Sequence, residues 1–209
     1  MKAETPEQAV AYLAGLSRFG WRLGLERIEG LLAGLGHPEG AYPCVQVAGT
    51  NGKGSTCATL ACLLAAAGYR TGLYTSPHLE SYRERLAILE RRRPGGDGQG
   101  DGGFGVRRRL IPGRRFLAVL RRVAEAAEEM GRGPAGPPTE FEVLTAAAVQ
   151  WFAEEGVDIA VLETGLGGRL DATTAVPAVL SVITHVDLDH TDRLGSTLAA
   201  IAGEKAAII

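Results

Sequence analysis

The sequence predicts an α/β domain in which a mostly parallel sheet carries helices on both faces. Three observations predict it. Short apolar, β-branched runs alternate with longer apolar patterns at helical spacing. One short run enters a glycine-rich turn that leads straight into a helix. The chain has 209 residues, 45% hydrophobic and 22% charged, which suits one domain with a substantial core.

From the start, Ala9, Val10, Tyr12, Leu13 and Leu16 fall at helical spacing within Pro6 to Leu16. Leu25, Ile28, Leu31, Leu32 and Leu35 predict a second helix, ended by Gly36 with Pro38 beyond. Cys44 to Ala48 reads as a short buried strand running into Gly49 to Thr56. Cys57 to Ala67 is a helix stopped by Gly68, and Thr71 to Tyr74 is the next strand. Phe116 to Met130 predicts an amphipathic helix, Val143 to Phe152 an apolar one. Asp158 to Glu163 and Val179 to Thr184 are strands, the first ending in a carboxylate. Between these, 89–112 reads as a flexible Gly/Arg-rich surface loop. Seven of the eleven residues from Gly95 to Gly105 are Gly, flanked by Arg91 to Arg93 and Arg107 to Arg109.

Composition excludes several classes. The formal net charge of −2 gives no general field for nucleic acid or acidic lipid. Cys44, Cys57 and Cys62 are odd in number and irregularly spaced, which argues against a disulfide framework. Residues 1–8 are polar, so no signal peptide is expected, and no run of about 18 apolar residues offers a membrane span. A cytoplasmic home is the simplest expectation. The basic stretch from Arg83 to Arg122 has twelve Arg against four acids, and a nucleic-acid-binding segment is the alternative reading. Only Phe104 offers an aromatic ring inside the loop, so stacking is poor and a solvated insertion is expected.

Gly49-Thr50-Asn51-Gly52-Lys53-Gly54-Ser55-Thr56 is the strongest chemical signal. A polyphosphate needs backbone N–H groups close by, and glycine permits that approach. The following helix adds its positive end, Lys53 a point charge, and Ser55 or Thr56 a hydroxyl for phosphate or magnesium. The loop is shorter than G-x-x-x-x-G-K-[ST], and Gly54 separates Lys53 from Ser55. An ATP-binding module of some other kind is the second alternative.

This variant loop resembles that of the folylpolyglutamate synthase and dihydrofolate synthase family, within the Mur-type ligases. Six further segments are similar, in order: Leu23 to Arg27, Tyr74 to Leu79, Thr139 to Glu142, Leu162 to Thr173, Leu188 to Thr191, and Glu204 to Ala206. Thr174 stands in place of a common Asn, Arg83 of an Asn, and Ala207 of a Gly. The resemblance implies an ATP-dependent ligase that adds L-glutamate to dihydropteroate or tetrahydrofolate through an acyl phosphate. It implies that the chain, 1–209, is an ATP-binding domain of Mur-ligase central type, that a C-terminal glutamate-ligase domain follows in the family, and that the protein is a monomer.

By the same resemblance, Thr50, Asn51, Gly52, Lys53, Gly54 and Ser55 hold ATP. Leu23, Gly24, Thr139, Glu140, Phe141, Glu142, Leu170, Asp171 and Ala172 contact the pterin. Ser76, Glu163 and His190 match magnesium positions, for one ion or two. Lys205 matches a carbamylated lysine and, with Lys53, carries the catalytic role. Magnesium prefers oxygen ligands, so Glu163 and Ser76 suit it better than His190. A carbamate would turn Lys205 from a cation into a metal-binding anion. Taken alone, His190 among its aspartates reads as a surface charge partner, and Lys205 beside Glu204 as a solvated helix pair.

Overall fold

The computed structural model describes residues 5–20, 22–92, 105–131 and 133–209. Among these residues six strands form one sheet: β1 Cys44–Ala48, β2 Thr71–Tyr74, β3 Leu86–Arg91, β4 Val106–Leu110, β5 Ile159–Glu163 and β6 Ala178–Ile183. Their order is β4-β3-β2-β5-β1-β6. β2, β5, β1 and β6 run parallel; β3 and β4 extend the sheet antiparallel. The helices are α1 Pro6–Leu16, α2 Glu26–Gly34, α3 Lys53–Ala66, α4 Gly113–Met130, α5 Glu140–Glu155, α6 Thr191–Leu194 and α7 Leu198–Ala206.

Strand alternation divides the core into two layers. Val45, Val47, Leu73, Ala87, Leu89 and Val161 face α3 and pack against Cys57, Ala61 and Ala65. Their neighbours Cys44, Tyr74, Leu86, Ile88, Ala160 and Leu162 face the opposite layer, built from α1, α2, α4 and α5. Every residue of α5 from Glu142 to Val149 is buried, because this helix lies between the sheet and α2 and α4. Its start is fixed by a capping box, Thr139 with Glu142. All three thiols are free. Burial pushes those of Cys44 and Cys57 up to about 12, while Cys62 is part-exposed on α3.

The expectation of a loop over 89–112 is corrected. Leu86 to Arg91 and Val106 to Leu110 are paired strands, in register from Ala87 with Leu110 to Arg91 with Val106. The Leu86–Leu89 run is buried beside β2, so it completes the core rather than leaving it. β4 is an edge strand, where arginines discourage further pairing. Arg107 lies 3.7 Å from Glu90, Arg109 2.7 Å from Glu155, and Arg108 donates to the Glu84 carbonyl. Arg107 and Arg108 stay exposed while making these contacts and Arg109 is half-buried, so this part of the basic stretch is a solvated strand edge. Residues 93–104, most of the glycine run, lie outside the described residues.

Two boundaries also differ from expectation. α3 begins at Lys53, not Cys57, since Lys53 to Thr56 form its first turn. α7 was not anticipated as a packed helix; it closes at Ala206, and Ile208 tucks in at 7% exposure.

Candidate nucleotide and acceptor site

The carboxyl ends of the parallel strands β1, β2, β5 and β6 lie at one end of the sheet, where open α/β sheets take ligands. β1 enters the loop at Gly49, whose φ is +148°; a Cβ there would stand 1.8 Å from Thr184 Oγ1. Only glycine fits. The loop then turns into α3, whose first N–H groups have no partner within the helix. Ser55 is exposed on this first turn.

The predicted phosphate residues split into two kinds. Thr50 is engaged elsewhere: its N–H donates to His185 O at 2.7 Å, and its hydroxyl pairs with the Asp187 backbone at 3.1 Å. Asn51 bridges His185 and lies under the Thr184 hydroxyl. Both therefore staple the loop to the segment after β6. Lys53 folds back on the loop, with Nζ 2.9 Å from Gly49 O and 3.1 Å from Thr50 O.

Lys205 is the clearest gain over bare residue reading. It is 3% exposed, not solvated, and its Nζ donates to the same Gly49 carbonyl at 2.9 Å. Glu204 pairs with Arg169 instead. Burial, and then the charge of Lys53, pushes the Lys205 ammonium down from the usual lysine range, against Asp189.

Glu163 is 5% exposed at the end of β5. The Ser76 N–H donates to its Oε2 at 2.9 Å, so these two predicted metal positions do meet. Burial pushes the carboxyl up, while the Ser76 N–H and Lys53 pull the other way. A Cβ on Gly54 would lie 3.5 Å from both Glu163 oxygens, so the carboxylate faces the start of α3. A buried carboxylate with lone pairs to spare beside a phosphate loop fits a hard cation. His190 sits at φ +48° and lines the same cleft as Ser76 and Lys53, with Asp189 3.6 Å from its ring. Among the described residues no three His, Cys, Asp or Glu side chains cluster as a protein-only metal site.

A cleft of about 470 Å³ opens beside these groups. Lys53 and Ser76 line it, together with Leu23, Thr139, Glu140, Phe141, Glu142, Leu170, Asp171 and Ala172. Gly24 is the one predicted acceptor contact missing from its wall; at φ +125° it shapes the turn into α2. Several of the others are held by the fold. The Glu142 carboxylate takes Arg27 Nε at 2.9 Å and caps Thr139, an ion pair buried on both sides. Glu140 accepts from the Ser17 hydroxyl. Asp171 accepts from the N–H groups of Gly165, Leu166 and Thr173 and from the Thr173 hydroxyl. Burial still pushes its carboxyl up against those four donors. Phe141 packs on Tyr74 at 5.9 Å and leaves no space for a Cβ on Gly165.

Sequence reasoning missed Arg22 and Arg85, two cations on this wall. Arg85 donates to His78 Nδ1 at 2.9 Å and stacks over Tyr82. Neither carries a periodicity or motif signal of its own beyond nearness to quoted segments.

Fold and loop together are those of an α/β nucleotide-binding domain, with a cleft adjoining the phosphate loop. No family model matches the chain. It is 39% identical over 204 residues to the dihydrofolate synthase/folylpolyglutamate synthase of Bacillus subtilis, covering 97% of this chain and 43% of that protein. The Escherichia coli enzyme of the same name is 40% identical over 199 residues, 95% of this chain and 42% of its own. Among solved structures, E. coli FolC in complex with DHPP and ADP superposes with a TM-score of 0.82 at 38% identity, over 99% of this chain and 44% of that one. An FPGS–AMPPCP complex gives 0.82 at 35% identity, over 98% and 45%. The chain spans less than half the length of the relatives it matches. It is homologous to that part of these folylpolyglutamate synthase/dihydrofolate synthase relatives.

Proposed function

We propose that the chain is the ATP- and acceptor-binding part of a ligase joining L-glutamate to a pteroate or folate carboxylate through an acyl phosphate. The observation that carries this reading is shared geometry. Lys53, on the phosphate loop, also lines the cleft formed by Thr139 to Glu142 and Leu170 to Ala172. A terminal phosphate at the start of α3 would therefore face the carboxylate of an acceptor lying in that cleft.

In this reading the α3 N-terminus and Lys53 hold the phosphates and offset charge as the acceptor carboxylate attacks. Leu23, Phe141 and Leu170 offer apolar surface to a flat ring, and Arg22 and Arg85 draw an anionic acceptor toward the cleft. Glu163 and Ser76, with His190, would hold magnesium, which supplies Lewis-acid stabilisation of the phosphoryl oxygens. Lys205 is buried and its ammonium is pushed down from the usual lysine range by burial and Lys53, which eases formation of the neutral amine that carbamylation needs. A carbamate would keep one N–H for Gly49 O and add two anionic oxygens that could face cations. Among the described residues no helix is long and apolar enough to cross a membrane.

The test uses ADP release and equilibrium binding. In a protein that also carries the family's C-terminal glutamate-ligase domain, ADP release stimulated by dihydropteroate together with glutamate supports a ligase. Nucleotide binding that never responds to dihydropteroate supports an ATP-binding module of another kind. Lys53→Ala should weaken MgATP binding by about 10- to 100-fold. Undiminished nucleotide affinity refutes the phosphate assignment.

A further inference from the structure

Gln46 lies in the middle of β1, between β5 and β6, and is 1% exposed. Its neighbours Val45 and Val47 face α3, so the Gln46 side chain leaves the sheet on the other side. There its Nε2 lies 3.2 Å from Thr164 Oγ1, 2.9 Å from Thr173 Oγ1 and 2.8 Å from Thr174 Oγ1. These hydroxyls belong to two pieces of the site. Thr164 follows Glu163 directly; Thr173 and Thr174 follow Asp171 and Ala172 on the cleft wall.

Each hydroxyl has one proton and two lone pairs. Thr173 Oγ1 stands 2.6 Å from Asp171 Oδ1, which as a carboxylate oxygen only accepts. Thr174 Oγ1 stands 2.7 Å from the Gly168 carbonyl, which also only accepts. Both protons are committed, so both oxygens present only lone pairs to position 46. The side chain there must bring N–H donors, and the Gln46 amide has two. The same accounting orients the amide, since its carbonyl turned this way would set lone pair against lone pair.

We infer that Gln46 is a positioning residue for the acceptor site. Its amide protons hold the segment from Thr164 to Thr174 so that Leu170, Asp171 and Ala172 present their cleft-facing geometry. The inference rests on the functional reading above. The phosphate loop is secured separately, by Thr50 to His185 and by Lys53 and Lys205 to Gly49 O. Acceptor binding and nucleotide binding should therefore respond differently to position 46.

The test compares wild type, Gln46→Glu and Gln46→Met by titration with dihydropteroate and, in parallel, with MgADP from pH 5.5 to 8. Amide hydrogen exchange of Gly165, Leu166 and Thr173, the three N–H donors to Asp171, reads the segment without any ligand. At pH 8 Gln46→Glu should weaken dihydropteroate binding about tenfold or more and raise exchange at those three amides. It should regain affinity toward pH 5.5, where the introduced carboxyl protonates and becomes a donor. Gln46→Met should show a loss with no such recovery. MgADP affinity should stay within about twofold throughout. Asp171 is present in all three proteins, so wild type and Gln46→Met carry its titration as background.

Unchanged dihydropteroate affinity in Gln46→Glu at pH 8 overturns the inference. So does an equal loss in both variants at every pH, or a matching loss of MgADP affinity. Wild type that binds MgADP but no dihydropteroate refutes the functional reading instead. The exchange rates then decide whether Gln46 holds the segment at all.

Discussion

Gly49 concentrates more constraint than any other residue of the phosphate loop. Its carbonyl accepts from two lysines, its φ is +148°, and Thr184 occupies the space a side chain would need. Gly49→Ala should lower stability by about 1–3 kcal/mol and weaken MgADP binding by about tenfold or more. Thermal melts and nucleotide titration check both, and a variant with wild-type affinity would show that the loop tolerates displacement. The glycine was legible as part of a motif. The burial of Lys205 was not, because Glu204-Lys205 on a helix is locally indistinguishable from a solvated pair. Its environment comes from Gly49, 156 residues away in sequence.

At the scale of elements, an ion-pair clamp joins α5 to the sheet. Glu155, near the end of α5, accepts from Arg70 beside β2 and from Arg109 on β4, each at 2.7 Å. Trp151 donates to it too, and Arg109 stacks over the Trp151 ring. Burial would raise the Glu155 carboxyl, but Arg109, Trp151 and Arg70 outweigh it and hold the group below its usual range. A folded-state value below the unfolded one means a contribution fully present above the unfolded value and lost as pH falls through the folded one. Glu155→Gln should therefore cost about 1–3 kcal/mol near pH 7. The gap to wild type should close in acid. Denaturant melts across pH measure it, and a constant gap would show that charge is not the cause. β4 itself escaped sequence reading because its arginines look solvated until β3, α5 and their carboxylates stand beside them. Its pairing with β3 is also separated in sequence by the glycine run. α5, by contrast, was legible, since its length and continuous apolar pattern leave few other structures.

For the molecule as a whole, the sheet separates a thin layer under α3 from a thick one under α5. Phe152 belongs to the thick layer, is fully buried, and its ring leaves no space for a Cβ on Gly72 of β2. Phe152→Ala should cost about 3–5 kcal/mol. Leu79→Ala, at a side chain 94% exposed, should change stability by no more than about 0.5 kcal/mol. Equal effects would contradict this division of the core. The same sheet gathers the site. The strand order β2-β5-β1-β6 brings together Ser76, Glu163, the phosphate loop and the segment before His190, which are scattered over more than a hundred residues of sequence.

The sequence alone determined the α/β class, most helices and parallel strands, and the phosphate loop, because periodicity and glycine spacing are local properties. The segments that resemble the ligase family named most of the residues now found on the cleft, but not Ser17, Gly20, Arg22 or Arg85. Tertiary structure alone decided which of those groups are available. Thr50, Glu142 and Asp171 have their polar atoms engaged within the fold, Glu163 keeps lone pairs to spare, and Lys205 is buried beside the loop. It also decided that Gln46, one polar residue in an apolar strand, meets three hydroxyls. Hydrogen-bond supply and demand is settled between distant parts of the chain, and only the folded arrangement shows which donors and acceptors have already been used.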